Sequence, residues 1–348
     1  TNASAAAQQQ KTLKVVMHAD VRTLDPFWTT QTIAGIHGMM IYDTLFSSDD
    51  KLEPKPQMVE SWTVSDDRRT YRFTLREGLR FHDGSPVTTR DVIASLQRWG
   101  KRDGAGRELM AQTQGLEAID ARTFAWNLSA PYGLLLDTLA KSGTSVPFIM
   151  REKEALVDPF QQIQEAVGSG PFAFKRDEWV PGSKTVYVRF NDYVPRKEPP
   201  SGHAGGKVAK VDRVEFVWMP DPQTAQAALI AGEIDFLENP LPDFLPMLAR
   251  TPGVKLDTHP AMGTAGIIQL NHLHPPFNDV RARQAMLHVV HMPDFLNTIA
   301  ADPQLQTVCY SFFGCGVAME TDAGSEAYRA PKDFRKAEAL FRAAGYKG

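Results

Sequence analysis

Four histidines of this chain, His272, His274, His288 and His291, fall within twenty residues and are its best candidates for metal chemistry. A helix is predicted over 280–290, which would put the last two on one helical face, and imidazoles so placed suit a transition-metal ion. The set does not extend to a carboxylate or cysteine at a recognised ligand spacing, so its plainer reading is a strand end and a helix surface with ordinary polar histidines. Cys309 and Cys315 enclose the segment Tyr-Ser-Phe-Phe-Gly. In an oxidising compartment that pair suits a small-loop disulfide, the alternative being two buried thiols. They form no CxxC motif, and two cysteines alone cannot build a zinc site. Nucleophile elbows, P-loops, HExxH motifs and GxGxxG turns are all missing from the sequence. Gly168-Ser169-Gly170 runs into Pro171, which suits a turn and not a dinucleotide cradle. The expectation is a protein that is not an enzyme, with no catalytic residue, bound metal or cofactor. Aromatic residues favour small-molecule binding more gently: Trp28 precedes a helix, Trp179 and Trp218 flank strand-like stretches, and Tyr310, Phe312 and Phe313 lie between the cysteines. Apolar walls with a few polar anchors are what a ligand cleft needs, although aromatics serve cores as often.

The elements that must position such residues are legible from periodicity. Tyr71, Phe73 and Leu75 alternate with Arg72, Thr74 and Arg76, the period of a half-buried strand. Glu77-Gly78 breaks the run, and Leu79 and Phe81 resume it up to a turn at His82-Asp83-Gly84-Ser85-Pro86. Thr88 and Asp91 stand in capping-box positions ahead of a helix whose apolar stripe is Val92, Leu96 and Trp99. Strands are also predicted at 13–18, 124–128, 185–190, 211–219, 233–237 and 264–270. A loop through Trp28-Thr29-Thr30-Gln31 leads into an apolar helix ending near Phe46. Asp221-Pro222 opens another helix that Gly232 stops, and a last one over 331–344 is stopped by Gly345.

At 348 residues the chain is too long for one simple core and implies two or three subdomains. Hydrophobic content of 43% and charged content of 23% are ordinary for a globular protein. A net charge of -3 gives no reason to expect nucleic acid as a partner, and no apolar run is long enough to span a bilayer. Residues 1–10 read as a flexible leader.

The block from Pro56 to Trp99 resembles the signature of the extracytoplasmic solute-binding proteins of the dipeptide/oligopeptide/nickel transporter family, which feed ATP-driven importers. Four further regions resemble that family in its own order. They are Leu24-Asp25-Pro26 with Tyr42-Asp43-Thr44-Leu45-Phe46, Gly168 to Phe172 with Trp179 to Gly182 and Arg189 to Tyr193, Ala228 to Asp235, and Pro275 to Ala285. The resemblance implies a two-lobed α/β periplasmic-binding-protein fold with an extra subdomain in the first lobe. Lobe 1 would take residues 11–44 and 166–258, the extra subdomain 45–165, and lobe 2 residues 259–348. Family members continue beyond the helix that carries Lys336 to Leu340, so the second lobe is expected to be partial.

By the same resemblance the protein is a monomer of the periplasm, its signal peptide outside this chain. It captures a small solute, a peptide or similar, by hinge closure and delivers it to the membrane permease subunits of an ABC importer. Alternatives are a ligand-presenting sensor subunit, or a metal or metallophore carrier using His272, His274, His288 and His291. The expected ligand contacts are Trp28, Thr29, Thr30 and Gln31 at the helix entry, Arg107 and Met110 after the signature helix, and Met262, Thr264 and Gly266 on the crossing strand. Tyr310 and Phe312, beside the cysteines, complete the set.

Overall fold

A computed structural model describes residues 10–257, 266–300, 302–317 and 319–347. The chain divides into two compact units, one ending at Asn239 and the other beginning at Pro240.

The first unit holds two main sheets. Its strands are β1 (Thr12–Val16), β2 (Phe46–Ser48), β3 (Pro54–Pro56), β4 (Val59–Val64), β5 (Thr70–Leu75), β6 (Thr113–Ala118) and β7 (Thr123–Leu128). They continue with β8 (Phe172–Phe174), β9 (Lys184–Arg189), β10 (Arg213–Val217) and β11 (Phe236–Leu237). Its helices are α1 (Thr32–Ile41), α2 (Thr89–Arg102), α3 (Gly104–Ala111), α4 (Leu135–Leu139), α5 (Glu152–Ala155) and α6 (Pro222–Ile230). One sheet runs β11-β1-β10-β9-β8, with β1 parallel to both β10 and β11 and with β9 antiparallel to its neighbours. The other is wholly antiparallel in the order β4-β5-β7-β6, and a short β2-β3 pair stands apart.

The predicted alternation of β5 is present: Tyr71, Phe73 and Leu75 are buried and Arg72 is exposed. Phe73 lies opposite Phe124 of β7, and their rings stack with centroids 5.1 Å apart. Such cross-strand aromatic pairs fix register as well as adding stability. The stripe of α2 is equally clear, since Val92, Leu96 and Trp99 are all fully buried. Its entry is held by Asp91, whose carboxylate accepts from the backbone N–H of Thr88 at 2.8 Å and from the Thr88 hydroxyl at 2.7 Å. These residues, with α1 and both sheets, form one continuous apolar core.

Several boundaries differ from the expectation for physical reasons. The apolar helix ends at Ile41, because Tyr42 turns to extended backbone and the chain enters β2 at Phe46. Leu79 and Phe81 do not form a strand. Gly78 takes a positive φ of 77°, and only a single bridge between Arg80 and Pro86 closes the turn. The predicted strand over 264–270 lies partly outside the described residues. Its described part, 266–270, has no regular structure, and Ile267 is 84% exposed. Apolar content alone does not make a strand when no neighbouring ladder takes up the backbone groups.

Gly168 shows how tightly the unit closes. A Cβ there would sit 1.7 Å from the carbonyl oxygen of Ile41, at the end of α1. Gly168→Ala is therefore expected to destabilise by about 1–3 kcal/mol through overpacking against backbone. A urea midpoint equal to that of the wild type would show that the turn is free to shift.

The second unit is helical where regular: α7 (Leu245–Leu248), α8 (Val280–Leu287), α9 (Met292–Ile299), α10 (Glu326–Arg329) and α11 (Phe334–Ala343). Asp279 caps α8 by accepting from the Arg281 N–H at 2.8 Å, and Asp333 caps α11 through the Lys336 N–H at 2.9 Å. Small residues let these helices meet closely, with Ala282, Ala285 and Ala337 buried. Gly345 stops α11 at a φ of 87°. Cys309 and Cys315 are joined as a disulfide with Cα atoms 5.8 Å apart.

Candidate functional site

The loop that leaves β1 is shaped by Asp25. Its carboxylate accepts from the Phe27 N–H at 3.0 Å, and its carbonyl accepts from the Trp28 N–H at 3.1 Å, so Pro26–Trp28 form a tight turn. Thr29 then accepts from the Gln31 N–H at 3.2 Å, and α1 starts at Thr32 with no side-chain cap from Gln31. Trp28 and Thr29 end half-buried, Thr30 and Gln31 exposed. The four residues therefore form a lip at the entry of α1.

Beneath the lip lies a fully buried ion pair, Asp25 with Arg98 of α2, at 2.7 Å. Arg98 also donates to the carbonyls of Val157 at 2.5 Å, Asp158 at 3.1 Å and Gln161 at 2.8 Å. One helical turn further on, Arg102 repeats the arrangement nearer the surface. It donates to the Phe27 carbonyl at 3.3 Å and to the Trp28 carbonyl at 2.9 Å. Its guanidinium lies 5.0 Å from the Trp28 ring centre and 5.2 Å from that of Phe160. Residues four apart on a helix share a face, so the two arginines bind the same two segments, 25–28 and 157–161, at successive levels.

The neighbouring turn is fastened too. Asp103 accepts from the Gly106 N–H at 2.9 Å, caps α3 and pairs closely with Lys141. Trp99 donates from its indole to the Ser145 carbonyl at 2.6 Å. Arg107 stands exposed in the first turns of α3, whereas Met110 is half-buried and packs onto Gly100 of α2.

Two histidines, His37 fully buried and His82 half-buried, support this unit. His37 of α1 pairs with the Tyr187 hydroxyl at 2.8 Å, and complete burial lowers its pKa to about 3. His82 sits in the turn before α2. Its Nδ1 accepts from the Gly168 N–H at 3.2 Å and its Nε2 donates to the Gly170 carbonyl at 3.1 Å. Burial, partly opposed by that second bond, lowers its pKa to about 4. Both rings are held neutral.

In the second unit, Tyr310 lies half-buried beneath the Arg329 guanidinium, 5.1 Å from its ring centre. Phe312 is 92% exposed and meets Phe313 edge to face at 5.2 Å. A Cβ at Gly266 would meet no described atom within 4 Å, and Met262 and Thr264 lie outside the described residues. The histidine set does not share a helical face. Helix α8 ends at Leu287, so His288 is its C-cap, while His291 is the N-cap of α9 and pairs with Asp294 at 3.0 Å. The cause is Pro293 at the second position of α9, which favours a new helix start over continuation. Among the described residues, no three or more of His, Cys, Asp and Glu come together as a metal site. No described helix is long and apolar enough to cross a membrane.

The lip, the arginine ladder and Phe160 form one cluster. Of these, Arg98, Arg102 and Phe160 were not expected from sequence. Only the Leu24-Asp25-Pro26 motif pointed toward them.

The mixed sheet with its second, antiparallel sheet inserted between β1 and β8 is the architecture of a lobe of a two-lobed periplasmic binding protein. Residues 53–348 match the model of the bacterial extracellular solute-binding proteins, family 5 Middle, and the chain belongs to that family. A probable peptide ABC transporter periplasmic-binding protein, y4tO of Sinorhizobium fredii, is 43% identical over 99% of this chain and 65% of its own length. The glutathione-binding protein GsiB of Escherichia coli K12 is 27% identical over 97% of this chain and 62% of its own length. The chain thus spans less than two thirds of these relatives. Among solved structures, the binding protein AgaA of A. tumefaciens R10 in complex with agropinic acid superposes with a TM-score of 0.75 at 27% identity. That match covers 96% of this chain and 64% of AgaA. DppA of Helicobacter pylori, in complex with the peptide STSA, shares the fold with a TM-score of 0.72 at 22% identity, over 97% of this chain and 67% of DppA.

Proposed function

We propose that this chain is the solute-capturing part of an extracytoplasmic binding protein of an ABC importer. The observation that carries this reading is the likeness to AgaA, a relative at 27% identity whose structure holds a small solute, agropinic acid. The lip at Trp28–Gln31, with Arg107, supplies the contacts of the first lobe. Gly266, Tyr310 and Phe312, with Met262 and Thr264, supply those of the second. Lobe 1 takes residues 11–44 and 166–258 and carries the subdomain 45–165, and lobe 2 begins at 259. The protein works in the periplasm as a monomer and hands its solute to membrane permease subunits. It performs no catalysis. Capture drives closure only through contacts made better in the closed state, so solute must touch both lobes.

Paired native and denaturing mass spectrometry tests this. The native mass is expected to exceed the denatured mass by a discrete amount, the captured solute, and Trp28→Ala is expected to lose that excess. The denatured mass is expected to lack the two thiol hydrogens of Cys309 and Cys315. A native protein with no excess mass, and with no thermal stabilisation by peptides, glutathione or opines, would remove the reading.

A further inference from the structure

We propose that Arg102 forms a receptor for the anionic group of a carboxylate-bearing solute. This deepens the reading of the lip as a solute contact and rests on it. Three observations converge on Arg102. Two aromatic rings lie against its guanidinium, Trp28 at 5.0 Å and Phe160 at 5.2 Å. Part of its fork is already used, with Nε bonded to the Phe27 carbonyl and Nη2 to the Trp28 carbonyl. Nη1 makes no hydrogen bond within the described protein, and no described carboxylate lies within ion-pair distance of the group. Its neighbour one turn earlier, Arg98, by contrast has its carboxylate partner in Asp25.

A half-buried cation normally finds an internal anion, because desolvation makes an unpaired charge costly. Arg102 is held by the two aromatic rings and by the Phe27 and Trp28 carbonyls, which steady a positive charge without neutralising it. What it still lacks is an acceptor in its own plane, and a carboxylate matches the in-plane spacing of a guanidinium fork. Phe160, 64% exposed, offers a ring 5.2 Å from the guanidinium for an apolar or planar part of the same solute. The class implied is therefore a carboxylate next to an apolar group. Arg107, exposed and without an ion pair among the described residues, adds to the positive field of this end of the helices.

The test uses benzoate and benzamide, which share a shape and differ in charge. The Nε–H signal of Arg102 is assigned by its loss in Arg102→Lys and followed by ¹⁵N NMR as each probe is added. Benzoate is expected to move it saturably and benzamide is not. By calorimetry, Arg102→Met is expected to bind benzoate about tenfold more weakly, a single step on the affinity scale. Arg102→Lys, which keeps the charge but not the planar fork, should fall between. Equal responses to both probes, no response to either, or unchanged benzoate affinity in both variants would each overturn the proposal. A failure of the underlying reading looks different. If benzoate acts at Arg102 but Trp28→Ala keeps its co-purified solute, the anion site stands and the lip is not where solute is held.

Discussion

Between pH 6.5 and about 4 the folded state is expected to lose stability steeply, with His82 and His37 as the cause. Their folded pKa values are lowered from 6.5 to about 4 and about 3. Above pH 6.5 both rings are neutral in either state, and the full stability is present. As pH falls below 6.5 the unfolded chain takes up two protons that the folded protein refuses. Each such proton steepens the loss by about 1.4 kcal/mol per pH unit, so roughly 4 kcal/mol is gone by about pH 5. Against a typical total of about 5–15 kcal/mol, that is a large share. The loss contributed by His82 ends near its folded pKa and that of His37 about one unit lower. From pH 3.8 downward Asp83 adds a further decline, because bonds from Ser85 and Arg151 hold its folded carboxyl down to about 2 despite its partial desolvation while the unfolded chain takes up the proton. His82→Asn keeps an acceptor for the Gly168 N–H and removes the titration. It should lower stability at neutral pH and cut the slope between pH 6.5 and 5 by about half. Urea midpoints measured across that range decide the matter. Equal slopes in the wild type, His82→Asn and His37→Gln would assign the acid loss elsewhere.

His82 also marks where sequence reading reached its limit. The turn that holds it, the strand before it and the capped helix after it follow from alternation, glycine and capping chemistry, all of which act within a few residues. Their partners do not. Nothing in His82-Asp83-Gly84 says that the ring will bridge to Gly168 and Gly170, more than eighty residues away. The same holds for the candidate site. Trp28–Gln31 were legible through the family resemblance and the helix entry. The arginines that hold them were hidden, because Arg98 lies in an amphipathic helix at a position where periodicity predicts a polar surface. It is instead fully buried, since the 157–163 segment folds over it. The crossing strand failed for the opposite reason. Ile267, Ile268 and Leu270 have strand-forming types, but pairing is a non-local property, and no ladder meets the described part of that segment.

Arg98→Met is expected to cost about 3–5 kcal/mol, the usual effect of removing one partner from a buried ion pair. The change would leave the Asp25 carboxylate charged in a fully buried site, with only the N–H groups of Phe27 at 3.0 Å and Ile163 at 3.1 Å to solvate it. It would also strip donors from the Val157, Asp158 and Gln161 carbonyls. Asp25→Asn should be milder, about 1.5–3 kcal/mol, because its one amide oxygen still accepts from either Phe27 or Ile163, whose N–H groups now share the two carboxylate oxygens, while Arg98 keeps its three carbonyls. The double variant Asp25→Asn with Arg98→Met is the informative one. With no charge left to strand, it should be more stable than Arg98→Met alone, although it carries one more substitution. The buried Nε of Arg98, which has no partner in the described structure, already imposes a cost that methionine removes. Additive effects in this cycle would mean that the pair contributes no coupling. Hydrogen exchange adds a spatial check. Loss of Arg98 should deprotect the amides of 27–31 and 157–163 together, because a single guanidinium ties both segments to α2. Deprotection of 157–163 with 27–31 still protected would show that the lip is held by Arg102 alone, and the lower rung of the ladder would then serve stability and not the placement of Trp28.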